Sequence, residues 1–180
     1  MKTLIAERNW LNVGDVRLDA SFHLSNGRIS KISLDKSPYP TLPLSSVTKE
    51  IYNGARFKRY YVDDPEKGIP FTGSSDMLKP ELSNLKYISK KLSKNIQALS
   101  LQKDWILVSC SGTIGNTVYT NDDYVNKTAS QHIMRVIPNE KIYSGYLYAY
   151  LSSRFGYALL TQGGGNRQGN VRKVQGKVSS

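Results

Sequence analysis

The run Trp105, Ile106, Leu107, Val108 and the run Thr117, Val118, Tyr119, Thr120 stand on either side of a turn, Ser111 to Gly115, that carries two glycines. No other stretch of the chain constrains the fold as much. Short β-branched or aromatic runs around such a turn read as paired strands. A third run, His132 to Ile137, alternates Ile133, Arg135 and Ile137 with Met134 and Val136, and can extend the same sheet. Gly112 and Gly115 have a physical role there: each can take a positive φ, or admit a neighbouring backbone, where a side chain would obstruct. The expectation is a buried sheet with a small-residue loop at its rim, and with Gly112 and Gly115 as structural residues of that turn.

Around the sheet the periodicity predicts helices. Leu44, Val47 and Ile51 recur at helical spacing and Ser45 or Ser46 can cap the start, so a short helix is expected to end near Asn53 and Gly54. From Leu82 to Lys103, the residues Leu85, Ile88, Leu92, Ile96 and Leu99 mark one helix face. The rest of that segment carries Lys86, Lys90, Lys91, Lys94 and Lys103 and no acid, and a wholly cationic side can lie along a phosphate backbone. Lys141 to Gln162 reads as another helix, with Tyr146, Leu147, Tyr150, Leu151, Phe155, Ala158 and Leu159 as its buried stripe. Asp63 to Gly68 is a turn into a short buried strand, Ile69 to Phe71. The class expected is mixed α/β, of the α+β kind: a twisted, largely antiparallel sheet with flanking helices and a glycine-rich C-terminal loop, Gly163 to Asn170. Met1 to Asp35 gives little periodic signal, and the prolines of Ser37 to Pro43 read as a linker. Residues 1–36 are therefore taken as an N-terminal arm and 37–180 as one domain.

With 180 residues, 39% of them hydrophobic, the chain has the length of one ordinary domain and can bury a real core. The single cysteine, Cys110, excludes an internal disulfide, and with only His23 and His132 beside it a metal cluster is not expected. No cofactor is expected either. The first ten residues contain Lys2, Glu7 and Arg8 rather than an apolar signal segment, and no stretch has the length of a membrane span, so a cytoplasmic location without membrane contact is expected. The net charge of +11 suits a polyanionic partner.

The segment Arg56, Phe57, Lys58, Arg59, Tyr60, Tyr61 interleaves three cations with three rings, which supplies charge for phosphates and flat faces for bases. As a strand it would instead turn Phe57 and a tyrosine inward and leave the cations solvated. Ser74 and Ser75 form a polar loop that can read base edges or cap a helix. The candidate contact set is Arg56, Lys58, Arg59, Tyr60, Ser74, Ser75, Lys79, Lys90 and Lys94, joined by Asn166, Arg167, Gln168 and Arg172 from the glycine-rich tail.

Catalytic motifs are not found. Asp64 and Glu66 beside Lys67 sit in a Pro-Gly turn with the wrong spacing for a carboxylate-plus-lysine nuclease. Gly163 to Gly169 follows a helix and has neither the dinucleotide fingerprint nor a P-loop Gly-Lys-Ser/Thr. Cys110 and His132 could be a thiol and its base, but Cys110 lies in an apolar strand and reads as buried and inert. No Asn-Pro-Pro-aromatic or Asp-Pro-Pro-aromatic methyltransferase site is present. Two binding readings stand beside DNA recognition: an RNA module, for which Gly112-Thr113-Ile114-Gly115 imitates a Gly-x-x-Gly loop, and a tyrosine-centred protein interface. Salt separates them, since only nucleic-acid affinity falls steeply with it.

Trp105 ahead of an apolar strand, then Ser109 to Gly115, then Ala129 to Ile133 entering another strand, resembles the target-recognition domain of type I restriction-modification specificity subunits. Tyr146 to Ser153 with Gly156, and upstream Gly68 to Phe71 with Asp76 and Met77, continue the match in order from about Leu42 to Gly165. The resemblance implies sequence-specific recognition of one half of a bipartite duplex target. It implies a partner methyltransferase subunit that brings S-adenosylmethionine and catalysis, a restriction subunit that cleaves, and pairing with a second recognition domain or a second copy. The family's long spacer helix has no counterpart in Val171 to Ser180, so a fragment or a natural half-length subunit is expected.

Overall fold

The computed structural model describes Ile5 and residues 20–54, 56, 58–91, 96–162 and 178–179. In chain order its elements are α1 (Ala20–His23), α2 (Asn26–Asp35), β1 (Thr41–Leu42), β2 (Thr48–Asn53), β3 (Tyr61–Val62), β4 (Gly68–Thr72) and β5 (Lys86–Ser89). They continue with β6 (Ile106–Ser109), β7 (Thr117–Tyr119), β8 (Thr128–Ala129), β9 (Ile133–Pro138), α3 (Ser144–Ser152), α4 (Arg154–Thr161) and β10 (Val178–Ser179). One sheet has the order β2-β9-β6-β7 and is antiparallel throughout; a second has the order β3-β5-β4-β8, with β8 parallel to β4. The mixed α+β class is as expected, but the strands divide into two four-stranded sheets rather than one, and β1 pairs separately with β10.

The central hairpin forms as the double-glycine turn predicts: Ile106 pairs with Tyr119, Leu107 with Val118 and Val108 with Thr117. β9 joins the other edge of β6, with Ser109 opposite Ile133 and Leu107 opposite Arg135. The β6 run lacks polar alternation because both its faces are covered. Ile106, Val108, Met134 and Val136 meet Leu44, Val47, Leu147, Leu151 and Leu160 on one side. Leu107 and Ile133 meet Met77, Leu101, Tyr124 and Ala129 on the other. Each fully buried aliphatic side chain stabilises the fold by roughly 1.5–3 kcal/mol, so this layer is the core of the molecule.

Three helices expected from spacing are not formed as such. Leu44 to Asn53 is one 3-10 turn, Leu44–Ser46, followed by β2. Leu44 and Val47 are three apart because they sit on that turn, and Ile51 reaches the same core from a strand. The segment from Leu82 contains β5 and a 3-10 turn, Ile96–Leu99. Asn84 has a φ of +54°, incompatible with a right-handed helix, and Ile88 is held between β3 and β4. Leu85, Ile88 and Leu99 are thus buried from a loop, a strand and a turn, and no continuous cationic helix side exists among the described residues. Lys103 bonds Asp122 at 2.8 Å, and Lys86 lies 5.6 Å from the Tyr61 ring centre.

The third segment is helical but broken. Ser153 closes α3 through its backbone N–H to Ala149 and Tyr150, and opens α4 by accepting from Gly156 N at 3.2 Å. The break shifts the register, so Leu160 is buried where Leu159 was expected to be, and Tyr146 is exposed. α2, in the segment with little periodic signal, packs on α4.

Arg135 is fully buried and joins the two sheets. Its Nη1 donates to Ser130 O (3.0 Å) and Ile133 O (2.7 Å), and its Nη2 to Leu99 O (3.1 Å) and Ala129 O (2.6 Å). Burial pulls its pKa down to about 10.

Candidate nucleic-acid interface

The end of β2, the end of β6 and the start of β9 meet at one rim of the first sheet, since Asn53 faces Met134 and Ser109 faces Ile133. Just outside them lies the turn Ser130 to His132, tied on every side. Asn53 Nδ2 donates to Gln131 O at 3.1 Å, Cys110 N donates to His132 O at 2.8 Å, and Ser130 N donates to Thr72 O at 3.0 Å. Asn53, Gln131 and His132 are not among the contacts expected from sequence. Gln131 and His132 are neighbours in the chain, and the pairing of β2 with β9 brings Asn53 to them from a distant segment.

The loop Ser111 to Asn116 leaves the same rim. Ser109, 1% exposed, holds it: the hydroxyl donates to Thr113 O at 2.5 Å and accepts from Asn116 N at 3.1 Å. Gly112 and Gly115 both lie in the left-handed region, at φ +72° and +87°. Their surroundings differ. A Cβ on Gly112 would have nothing within 4 Å, whereas one on Gly115 would lie 2.8 Å from Thr161 Cγ2 and 3.2 Å from the Tyr157 ring. Gly115 therefore presses on α4 while Gly112 faces solvent.

Among the described residues of the basic and aromatic segment, regular pairing begins only at Tyr61. Phe57 lies outside the described residues. Arg56 and Lys58 are exposed, and Lys58 Nζ lies 5.1 Å from the centre of the exposed Tyr60 ring. Arg59 is separated from them. Its guanidinium lies 4.8 Å over the Phe71 ring, and its Nη2 donates to Gln131 Oε1, so it reaches from the second sheet to the rim of the first.

Ser74 and Ser75 follow β4, whose partner β8 runs parallel beside it, so this turn leaves the second sheet next to Ser130. Lys79 bonds Asp76 Oδ1 at 2.7 Å, which offsets its charge. Burial opposes ionisation of Asp76, but hydrogen bonds from Lys79 and Gly73 outweigh it and hold the carboxyl below its ordinary pKa. Lys90 donates to Glu66 O at 3.1 Å, close to Tyr60, whose carbonyl accepts from Ser89 N. Lys94, Asn166, Arg167, Gln168 and Arg172 lie outside the described residues.

Cys110 is buried, burial raises its pKa, and its thiol points to Val108 O at 3.5 Å, while His132 Nε2 faces Gln131 Nε2. The thiol's contact is to a backbone carbonyl and the imidazole's is to an amide, so the two side chains are not paired as nucleophile and base. Among the described residues no group of histidine, cysteine or carboxylate side chains is placed to hold a metal ion, and no helix is long and apolar enough to cross a membrane.

The model of one family, the type I restriction modification DNA specificity domain, matches residues 41–175. The chain belongs to this family. Among solved structures, the fold is similar to the HsdS subunit from Thermoanaerobacter tengcongensis, with a TM-score of 0.51 and 14% identity over 76% of this chain and 35% of that one. The type-I restriction-modification system S subunit from M. genitalium aligns with a TM-score of 0.40 and 16% identity, over 90% of this chain and 36% of the other. The chain spans about a third of the length of these subunits. No curated protein sequence matches it. For a DNA specificity domain, the rim has the chemistry that readout requires: amides, an imidazole and hydroxyls that give directional hydrogen bonds, beside exposed cations that can meet phosphates.

Proposed function

We propose that this chain is the target-recognition domain of a type I restriction-modification specificity subunit and reads one half of a bipartite duplex target. The match of the DNA specificity domain over residues 41–175 carries the reading, and the polar rim flanked by Arg56 and Lys58 supports it. Residues 1–36 serve as an arm and 37–180 as the reader. The chain itself does no chemistry: a partner methyltransferase subunit modifies the target, a restriction subunit cleaves, and a second recognition domain or a second copy supplies the other half-site. Such a complex works in the cytoplasm. Arg56, Lys58 and Tyr60 meet the backbone, and Ser74, Ser75 and the rim amides approach base edges. A single half-site offers few base contacts, and each mismatch costs about 1–3 kcal/mol, so the lone domain discriminates modestly. Adding the partner and the second half-site makes the second contact intramolecular and raises affinity.

Duplex titration at several salt concentrations tests this. Neutralising Arg56 and Lys58 together should weaken binding and reduce the salt slope by about 2, roughly 0.9 for each phosphate that is no longer neutralised. Selection from a randomised duplex pool should enrich one short sequence. Unchanged affinity and slope in the double variant would remove these cations from the interface, and a pool without enrichment would end the reader assignment.

A further inference from the structure

Arg59, Gln131 and His132 form a relay whose chemistry has one consistent solution. A guanidinium only donates, so the Gln131 atom facing Arg59 Nη2 must be the carbonyl Oε1. That settles the amide orientation. Gln131 Nε2 then points at His132 Nε2 at 3.1 Å, and since an amide nitrogen only donates, His132 Nε2 must be the acceptor. A neutral imidazole that accepts at Nε2 carries its proton on Nδ1. Nδ1 has no hydrogen-bond partner among the described residues, and His132 is half-buried at the rim, so this N–H is available to an outside acceptor.

The backbone holds the relay in place. Arg135 bonds Ser130 O and Ile133 O on either side of the turn, Asn53 bonds Gln131 O, and Cys110 N bonds His132 O. The ionisable groups tied to this turn are therefore Arg59 from the segment before β3, Arg135 from β9 and Cys110 at the end of β6. None of them is a carboxylate.

We propose that Arg59 and Gln131 are positioning residues that hold His132 as the Nδ1-protonated neutral imidazole, so that one directional N–H donor faces the DNA at the rim. The inference rests on the DNA-reading assignment above and deepens it. Arg59 then acts through Gln131 rather than on a phosphate, unlike Arg56 and Lys58. His132 contributes a directed N–H donor for a base-edge or phosphate oxygen.

The tautomer can be read without DNA. The chain has two histidines, so in a His23→Gln variant every imidazole signal belongs to His132. Nitrogen NMR of that labelled chain at neutral to mildly alkaline pH should show Nδ1 protonated and Nε2 bare. Arg59→Ala or Gln131→Ala should move the population towards the Nε2-protonated form. An Nε2-protonated ring in the parent, or no change in either variant, would overturn the relay.

Duplex binding tests the donor. The amide nitrogen of asparagine overlays Nδ1 of a histidine, and that of glutamine reaches the Nε2 position. His132→Asn should keep affinity within about twofold, and His132→Gln should lose roughly tenfold, the size of one hydrogen bond. Equal losses in the two variants would overturn the donor role. Failure of the parent chain to bind any duplex would overturn the interface and the donor with it. That failure is recognisable as such because the tautomer signal is independent of DNA.

Discussion

Gly112 and Gly115 share a backbone conformation but not a reason for being glycine, and the difference can be measured. At Gly112 only the positive φ excludes a side chain, because a Cβ would meet nothing. Asparagine tolerates that region, so Gly112→Asn should leave stability nearly unchanged, whereas Gly112→Val should cost about 1–2 kcal/mol. At Gly115 the Thr161 methyl and the Tyr157 ring add a steric demand, so Gly115→Asn should destabilise clearly. Denaturant melts of the three variants decide it: if asparagine were equally harmful at both positions, the open space beside Gly112 would be wrong. The need for glycine was legible in the sequence as a turn between two apolar runs. Which glycine touches another element was not, because Thr161 and Tyr157 lie far along the chain.

Helices and strands show why local pattern succeeded in one place and failed in others. The β6–β7 hairpin is a local structure whose two strands and turn are contiguous, so its signal is complete within a short window. β2 and β5 are strands because of partners far away in sequence: β2 pairs with β9, and β5 with β3 and β4. Their three-and-four spacing arises because residues from different elements converge on common cores. α3 and α4 fall between these cases, since the apolar spacing is truly helical but Ser153 interrupts it. Its hydroxyl donates to Tyr150 O at 2.7 Å and accepts from Gly156 N, so Ser153→Ala removes the cap of α4. That change should cost about 1 kcal/mol in denaturant unfolding. Restored stability with glycine but not alanine would fit a cap, while no effect with either would show that tertiary packing alone makes the break.

At the scale of the whole molecule, the fully buried Arg135 ties the two sheets together. Arg135 satisfies four carbonyls from β8, β9, the Ser130 turn and the Ile96–Leu99 turn, and among the described residues no carboxylate is ion-paired with it. Ser130 O would keep the Ile133 N–H, but Arg135→Met would take the guanidinium from Ile133 O, Leu99 O and Ala129 O, each at a cost of about 1–3 kcal/mol, against a total stability of about 5–15 kcal/mol. The variant should lose at least about 3 kcal/mol. Arg135→Lys should not rescue it, because a compact ammonium has three donors and cannot span four carbonyls. A melt within about 1 kcal/mol of the parent would show that the carbonyls find other partners. By itself the sequence determined the central hairpin, the positive-φ turn, the mixed class, the basic character and the absence of recognisable catalytic spacing, because each of these is local or compositional. Tertiary structure alone decided that the strands form two sheets, that Arg135 is an internal tie rather than a surface cation, and that Arg59 turns from the cations beside it to meet Gln131 and His132. The reason is physical: a strand is completed by hydrogen bonds to a partner that can lie anywhere in the chain, and a charge becomes structural only where distant carbonyls surround it.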